Sequence, residues 1–207
     1  MGEITRQTEF GQMIYQFISS LNDCKNIVEI GGWDGTGTTR CIYDALMEHH
    51  QYCDLYSLEI NPIRHQQALL NYKEHDSSTQ IHLHFLNGTL CGTDDIKAAE
   101  EYVTIHRDEF VQQQQQNFQK FYNENIEAIG KAERLLESLP TQIDILVLDG
   151  GEYTTYNEWK VLQDYANIKY LILDDTATLK CKYILKELSD KVIAKTSERN
   201  GGVIIQL

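Results

Sequence analysis

The sequence predicts an α/β fold: a doubly wound, mostly parallel seven-stranded sheet with an antiparallel C-terminal hairpin and a helical insertion between strands three and four. Three observations carry this. Short apolar, β-branched runs alternate with amphipathic helical stretches from end to end. The strand-like runs stop at glycines or acids. The last two face each other across Glu198-Arg199-Asn200-Gly201-Gly202, a turn-rich link. No linker or internal repeat divides the 207 residues, so one domain over 1–207 is expected.

The elements follow in order. Phe10, Ile14, Phe17 and Leu21 recur at helical spacing and predict a helix from Thr5 to Leu21. Asn26–Ile30 is a β-branched run stopped by Gly31 and Gly32. A helix from Thr36 to His50 places Cys41, Ile42, Ala45 and Leu46 on one side. Leu55–Glu59 is the second strand, and the helix after it begins at Pro62, a favoured first-turn position. Ile81–Leu86 alternates with period two, as an edge strand does. Asp144–Asp149 is apolar through its middle and reads as a buried strand, and Tyr170–Asp174 is the fifth. A helix over Leu179–Leu188 precedes the hairpin strands Val192–Lys195 and Gly202–Gln206. Residues 91–140 interrupt this rhythm, and two helices are predicted there, over 94–123 and 126–138, ended by Pro140. The five glutamines at 112–116 read as a solvated face. The length of the insertion, with Phe110, Phe118, Phe121 and Tyr122, predicts a cover over a substrate pocket.

Composition narrows the function. A net charge of −13 opposes binding to a phosphate backbone, so no nucleic-acid partner is expected. No apolar run approaches the ~20 residues that span a bilayer, and MGEITRQTEF lacks the features of a signal peptide, so no membrane association and a cytoplasmic address are expected. Cys24, Cys41, Cys53, Cys91 and Cys181 are scattered and form no CxxC pair; they read as free thiols.

In a doubly wound sheet the ligand lies beyond the carboxyl ends of the strands. Strand one ends in Glu29-Ile30-Gly31-Gly32-Trp33-Asp34-Gly35-Thr36-Gly37, strand two in Glu59, strand three in Asn87-Gly88-Thr89, strand four in Asp149 and strand five in Asp174-Asp175. Each alone has an ordinary explanation, since glycines make turns and Asp or Asn caps helices. Together, acids or glycines at five strand ends point to a ligand site. A dinucleotide fingerprint requires GxGxxG, and neither register fits: Trp33 stands where the pyrophosphate would approach, and Arg40 stands at the third glycine when reading starts from Gly35.

The loop resembles the ExGxxxG loop of class I S-adenosylmethionine-dependent methyltransferases, with Glu29, Gly31 and Gly35 matching. Asp144-Ile145-Leu146-Val147-Leu148-Asp149-Gly150-Gly151 is similar to that family's fourth motif. Arg199-Asn200-Gly201-Gly202-Val203-Ile204 is similar to the closing hairpin of macrolide-sugar and related O-methyltransferases. The resemblance runs from Phe10 to the last residue and implies a Rossmann-like fold that binds S-adenosylmethionine. By position it implies that Glu29, Gly31, Gly32, Trp33 and Gly35 contact the methionine part and ribose. It also implies that Glu59 takes the ribose diol and that Gly88 and Thr89 lie near the adenine.

Catechol-type and macrolide-sugar enzymes also hold a divalent cation, and Asp149, Asp174 and Asp175 occupy the matching places, which implies Mg²⁺; three hard oxygen donors suit that ion. The alternative leaves the aspartates as helix caps and cofactor contacts. Where the catechol enzymes carry a lysine base this chain has Glu152, and Gly151 replaces an aspartate of many macrolide-sugar enzymes, so the base is sought in Asp149 or Glu152. His82 and His84 share a strand face, without a third ligand nearby, and read as an exposed polar face.

The resulting expectation is an O-methyltransferase acting on a hydroxyl of a small molecule such as a sugar or glycan terminus. A second copy of the chain or a larger sugar-modifying assembly would be its protein partner. The alternatives are a nicotinamide-dependent oxidoreductase and a non-catalytic nucleotide-binding module.

Overall fold

A computed structural model of the chain describes residues 4–49, 52–74, 80–92, 95, 123 and 125–207. Seven strands form one sheet: β1 (Asn26–Ile30), β2 (Cys53–Glu59), β3 (Ile81–Asn87), β4 (Gln142–Leu148), β5 (Asn167–Asp174), β6 (Val192–Thr196) and β7 (Gly202–Gln206). Their order across the sheet is β3-β2-β1-β4-β5-β7-β6. The first five run parallel, and β7 enters antiparallel between β5 and β6. Helices α1 (Glu9–Ser20), α2 (Thr38–Glu48), α3 (Pro62–Asn71), α4 (Thr155–Tyr165) and α5 (Leu179–Leu188) connect and cover the strands. The architecture is the mostly parallel, doubly wound sheet that the alternating pattern predicts.

Two apolar layers enclose the sheet. On one face Phe10, Ile14 and Ile18 of α1 and Ile42 and Leu46 of α2 pack on Ile27, Leu55, Ile145 and Ile172. On the other, Trp159 and Leu162 of α4 and Ile184 of α5 pack on Val28, Leu146, Leu148, Leu171 and Leu173. The contrast between strands follows from position. β4 sits mid-sheet and is buried over its last six residues, whereas β3 at the edge is mostly half-buried. His82 and His84 lie on that edge strand, and both approach Oδ1 of Asp54 on β2, at 3.4 and 2.8 Å. All five cysteines are buried and free.

Several boundaries move for local reasons. The first helix starts at Glu9, not Thr5, because Thr8 caps it by accepting from the Gly11 N–H, and Thr5 to Thr8 form a turn. The second starts at Thr38, not Thr36: the Thr36 N–H is taken by Asp34 Oδ1 at 3.0 Å, outside the helix. The helix expected over 126–138 is helical at 125–131 only. Beyond it the backbone pairs with the loop after β3: Thr89 donates to the Glu133 carbonyl and accepts from the Leu135 N–H, both at 2.9 Å. Those bonds replace helical ones, and only a short 3₁₀ turn, Leu136–Ser138, remains. The helix expected over 94–123, and with it the proposed cover, falls outside the described residues apart from Asp95 and Asn123. Among the described residues no helix is long and apolar enough to cross a membrane.

Candidate functional site

The sheet order reverses between β1 and β4, where α2 and α4 leave for opposite faces and a crevice opens above the strand ends. Two adjoining clefts fill it. The first, about 260 Å³, lies over β1, β2 and β3 and is walled by Ile30, Leu58, Ile60, Leu90 and Ile129, with Gly88 at its edge and Glu59, Arg64, Thr89, Asn125, Thr154 and Glu158 among its polar members. The second, about 320 Å³, lies over β1, β4 and β5 and is lined by Thr38, Asp174, Asp175, Lys180 and Arg199. Gly31, Trp33, Asp149 and Gly150 belong to both and form the partition.

The partition is built by close backbone approach. Gly31 has φ +92°, and a Cβ there would stand 2.2 Å from the Asp149 carbonyl oxygen, so only glycine brings the β1 and β4 ends together. Gly31 and Gly32 both donate to the Leu58 carbonyl, at 2.9 and 3.0 Å. Trp33 follows in the left-handed region, φ 52°, a strained conformation for a bulky residue. Its N–H donates to Glu59 Oε2 at 2.9 Å, and its indole, 46% exposed, lies under the Arg64 guanidinium at 3.3 Å.

Glu59 is the central polar group of the first cleft. One carboxylate oxygen accepts from Trp33 and the other from the Asn61 N–H at 2.8 Å. Burial pushes its carboxyl up from the usual range, opposed by the Asn61 bond, the Arg64 charge and the Trp33 bond. Each oxygen of a carboxylate has a further lone pair, so a vicinal diol can be accepted on top of these bonds. Glu158 lies deeper. It is 6% exposed, its Oε2 has no partner among the described residues, and burial raises its pKa to about 7. An orphaned buried oxygen in an apolar cleft calls for a ligand donor. The diol acceptor, the apolar walls and this unmet acceptor fit an adenosyl group.

The second cleft is charged. Asp149, Asp174 and Asp175 bring carboxylate oxygens within 4.8 Å of one another. Lys180, in the first turn of α5, enters the same cluster: its side chain is 3% exposed, and Nζ donates to Asp149 Oδ1 at 2.8 Å and Asp175 Oδ2 at 3.3 Å. Burial works against its charge, but Asp149 and Asp175 outweigh burial and hold its pKa above the ordinary value. Burial, with Asp149 and Asp175 beside it, raises the Asp174 carboxyl well above the usual range. Asp175 has φ 56° and is braced by the hairpin turn, where the Asn200 side-chain amide donates to its Oδ1 at 3.0 Å.

The three aspartates alone would suit Mg²⁺, but with Lys180 among them the donor set does not. A dication about 4 Å from an ammonium is repelled by on the order of 8 kcal/mol at an effective dielectric of ~20. The buried lysine already takes one oxygen from each of two of the three carboxylates a metal would need.

The structure thus brings Gly31, Gly32, Trp33, Glu59, Gly88, Thr89, Asp149, Asp174 and Asp175 to the clefts. Three of the sequence candidates lie elsewhere. Glu29 sits beneath the loop, accepting from Thr39 and Ser57 hydroxyls at 2.5 and 2.7 Å, and burial raises its pKa to about 7. Gly35, φ +76°, packs against the Tyr72 ring and faces away from both clefts. Glu152 caps α5, its carboxylate accepting from the Lys180 N–H at 3.2 Å and the Thr178 hydroxyl at 3.3 Å. Lys180 and Glu158 escaped the sequence reading. For Lys180 a signal existed: a lysine in the first turn of a helix opposes the helix dipole and needs another reason to be there. Glu158 carried none, since a glutamate in a first turn is ordinary.

No protein-family model matches the chain, and no curated protein sequence matches it. Solved structures do share the fold. A methyltransferase from Podospora anserina with S-adenosylhomocysteine bound superposes with TM-score 0.56 at 12% identity, covering 95% of this chain and 76% of that one. An O-methyltransferase from Bacillus cereus in complex with S-adenosylhomocysteine gives 0.53 at 9% identity, over 95% and 80%. A Streptococcus pneumoniae chain described as a tRNA (m1A22) methyltransferase gives 0.51 at 12%, over 96% and 69%. The chain has the Rossmann-like fold that these methyltransferases share.

Proposed function

We propose that this chain is an S-adenosylmethionine-dependent O-methyltransferase that acts on a small hydroxylated molecule, with a sugar or glycan terminus as its acceptor class. The observation that carries the reading is the first cleft: Glu59, anchored through two backbone N–H groups, faces apolar walls and the unpartnered Glu158 oxygen. In this reading Glu59 accepts the ribose hydroxyls, Glu158 accepts from the adenine amino group, and Gly31, Trp33 and Asp149 border the reacting end. The bound cofactor supplies an electrophilic methyl group. The protein orients the acceptor hydroxyl against it and takes up the hydroxyl proton, and that alignment is the larger contribution.

Asp149 is the base of this proposal, because it lines both clefts at their junction. Glu152 is tied to the α5 terminus and lines neither. The crowding of acids with Lys180 and Arg199 in the second cleft suits an acceptor with several hydroxyls. A polyanion such as tRNA is opposed by the net charge of −13. Trp33 in the partition disfavours a dinucleotide pyrophosphate, against the oxidoreductase alternative.

Calorimetric titration with S-adenosylmethionine and with NAD tests the binding half: the first binds and the second does not. Transfer of labelled methyl from S-adenosylmethionine to a panel of sugars and other hydroxylated acceptors tests the catalytic half. A protein that binds NAD, or one that binds S-adenosylmethionine yet methylates only tRNA, contradicts the proposal.

A further inference from the structure

We propose that Lys180 is the fixed cation of the second cleft, binding the acceptor oxygen in the place a divalent metal would take, so that this site works without one. Four observations lead there. Nζ of Lys180 lies within hydrogen-bonding distance of both Asp149 and Asp175, at the centre of the aspartate cluster. The side chain is 3% exposed, so it is an internal group and not a surface lysine folded over an acidic patch. It lines the cleft beside Asp149, the residue at the junction with the first cleft. It also stands in the first turn of α5, where the helix dipole disfavours a cation, so the helix itself gives no reason for it.

The donor count completes the argument. An ammonium carries three N–H donors. Two are directed at Asp149 Oδ1 and Asp175 Oδ2. The third serves an acceptor oxygen in the cleft. On the methyl-transfer reading, which this chemistry rests on, the acceptor hydroxyl oxygen uses a lone pair to form the new O–C bond. The electron pair of the broken S–C bond stays on sulfur, and the hydroxyl proton passes to Asp149. The Lys180 ammonium stabilises the negative charge that builds on the oxygen and keeps its own proton throughout. A lysine does this as a point charge at a fixed position, which is the part of the metal's role the geometry supplies.

Binding of Mn²⁺ alone, followed by electron paramagnetic resonance on the full chain, tests the replacement without any acceptor or cofactor. The wild-type protein is expected to bind no Mn²⁺ at millimolar concentration. Lys180→Met empties the place and leaves three carboxylates, so Mn²⁺ should bind at the millimolar concentration where the wild type binds none. Adding Asp174→Asn should remove that binding again, and Lys180→Arg, which keeps the charge, should exclude Mn²⁺ as the wild type does. Wild-type binding that Asp174→Asn abolishes overturns the proposal, as does a folded Lys180→Met variant that binds none. If Lys180→Met fails to fold, Lys180→Gln, which also removes the charge, is read in its place with the same expected gain of Mn²⁺ binding. None of these outcomes depends on S-adenosylmethionine, so they separate from a failure of the methyltransferase reading.

Discussion

The two clefts share a wall and differ in almost everything else. The first is walled by apolar side chains, its acids are spread around it, and its principal carboxylate is held by backbone N–H groups. The second concentrates three carboxylates and a buried ammonium, braced by a hairpin turn. The difference teaches how one sheet edge, on the proposed function, separates recognition from chemistry. Apolar walls with a fixed hydrogen-bonding pattern select a ligand by shape, whereas charges excluded from water act strongly on a reacting oxygen. The strained backbone follows the same division. Trp33 and Asp175, both at positive φ, stand at the partition and in the charged cleft, where side chains must be aimed against local preference.

The sharpest way to break the comparison is to remove the anchor of the first cleft. On the proposed reading, Glu59→Ala deletes two charge-assisted hydrogen bonds to the ribose diol, each worth roughly 1.5–3 kcal/mol, and it releases Trp33. The expected outcome in calorimetry is a loss of about 10²–10⁴-fold in S-adenosylmethionine affinity. Unchanged affinity would remove Glu59 from the binding site.

A second test strikes the shared wall. Gly31→Ala puts a methyl group 2.2 Å from the Asp149 carbonyl at φ +92°. The left-handed penalty of ~1–2 kcal/mol and overpacking of ~1–3 kcal/mol add to a loss of roughly 2–5 kcal/mol in chemical denaturation. A fully stable variant would mean that β1 and β4 do not need this approach.

The smallest expected effect concerns Glu158. Its pKa is raised by burial to about 7, so the folded state holds its proton between pH ~4.5 and ~7 while the unfolded chain has released it. The folded state therefore binds more protons in that window, and stability falls as pH rises through it. Glu158→Gln should flatten this fall by roughly 1–3 kcal/mol, read from denaturant midpoints at pH 5 and pH 8. An unaltered pH profile would show that Glu158 is not the buried titrating group described here, and S-adenosylmethionine should remove the same slope by occupying its oxygen.

Much of the first cleft was legible in the sequence because strand ends carry it. Gly31 and Trp33 follow a β-branched run and Glu59 closes a short strand-like one, and a parallel sheet gathers such strand ends on one edge. Periodicity also set the strand and helix order, since a buried run such as Ile145–Leu148 resembles nothing else. The second cleft was legible only in its acids. Lys180 reaches it from a helix, and a sequence does not show which helical side chain bends back over the sheet. The Glu29-x-Gly31-x-x-x-Gly35 spacing was visible too, yet Glu29 and Gly35 shape the loop from beneath and behind, through Thr39, Ser57 and Tyr72. A spacing pattern does not tell a residue that touches a ligand from one that supports the turn. The helix over 126–138 stops short for a related reason: the loop at Thr89 claims the Glu133 carbonyl and the Leu135 N–H, and periodicity does not show that competition.

The central claim is that the first cleft takes the adenosyl group, and a crystal structure of the chain with S-adenosylhomocysteine tests it most directly. The ribose diol is expected on Glu59, the adenine amino group toward Glu158 Oε2, and the sulfur beside Asp149 at the partition. A ligand seated with its adenine among Asp174, Asp175 and Lys180, or one that leaves Glu59 untouched, would contradict it.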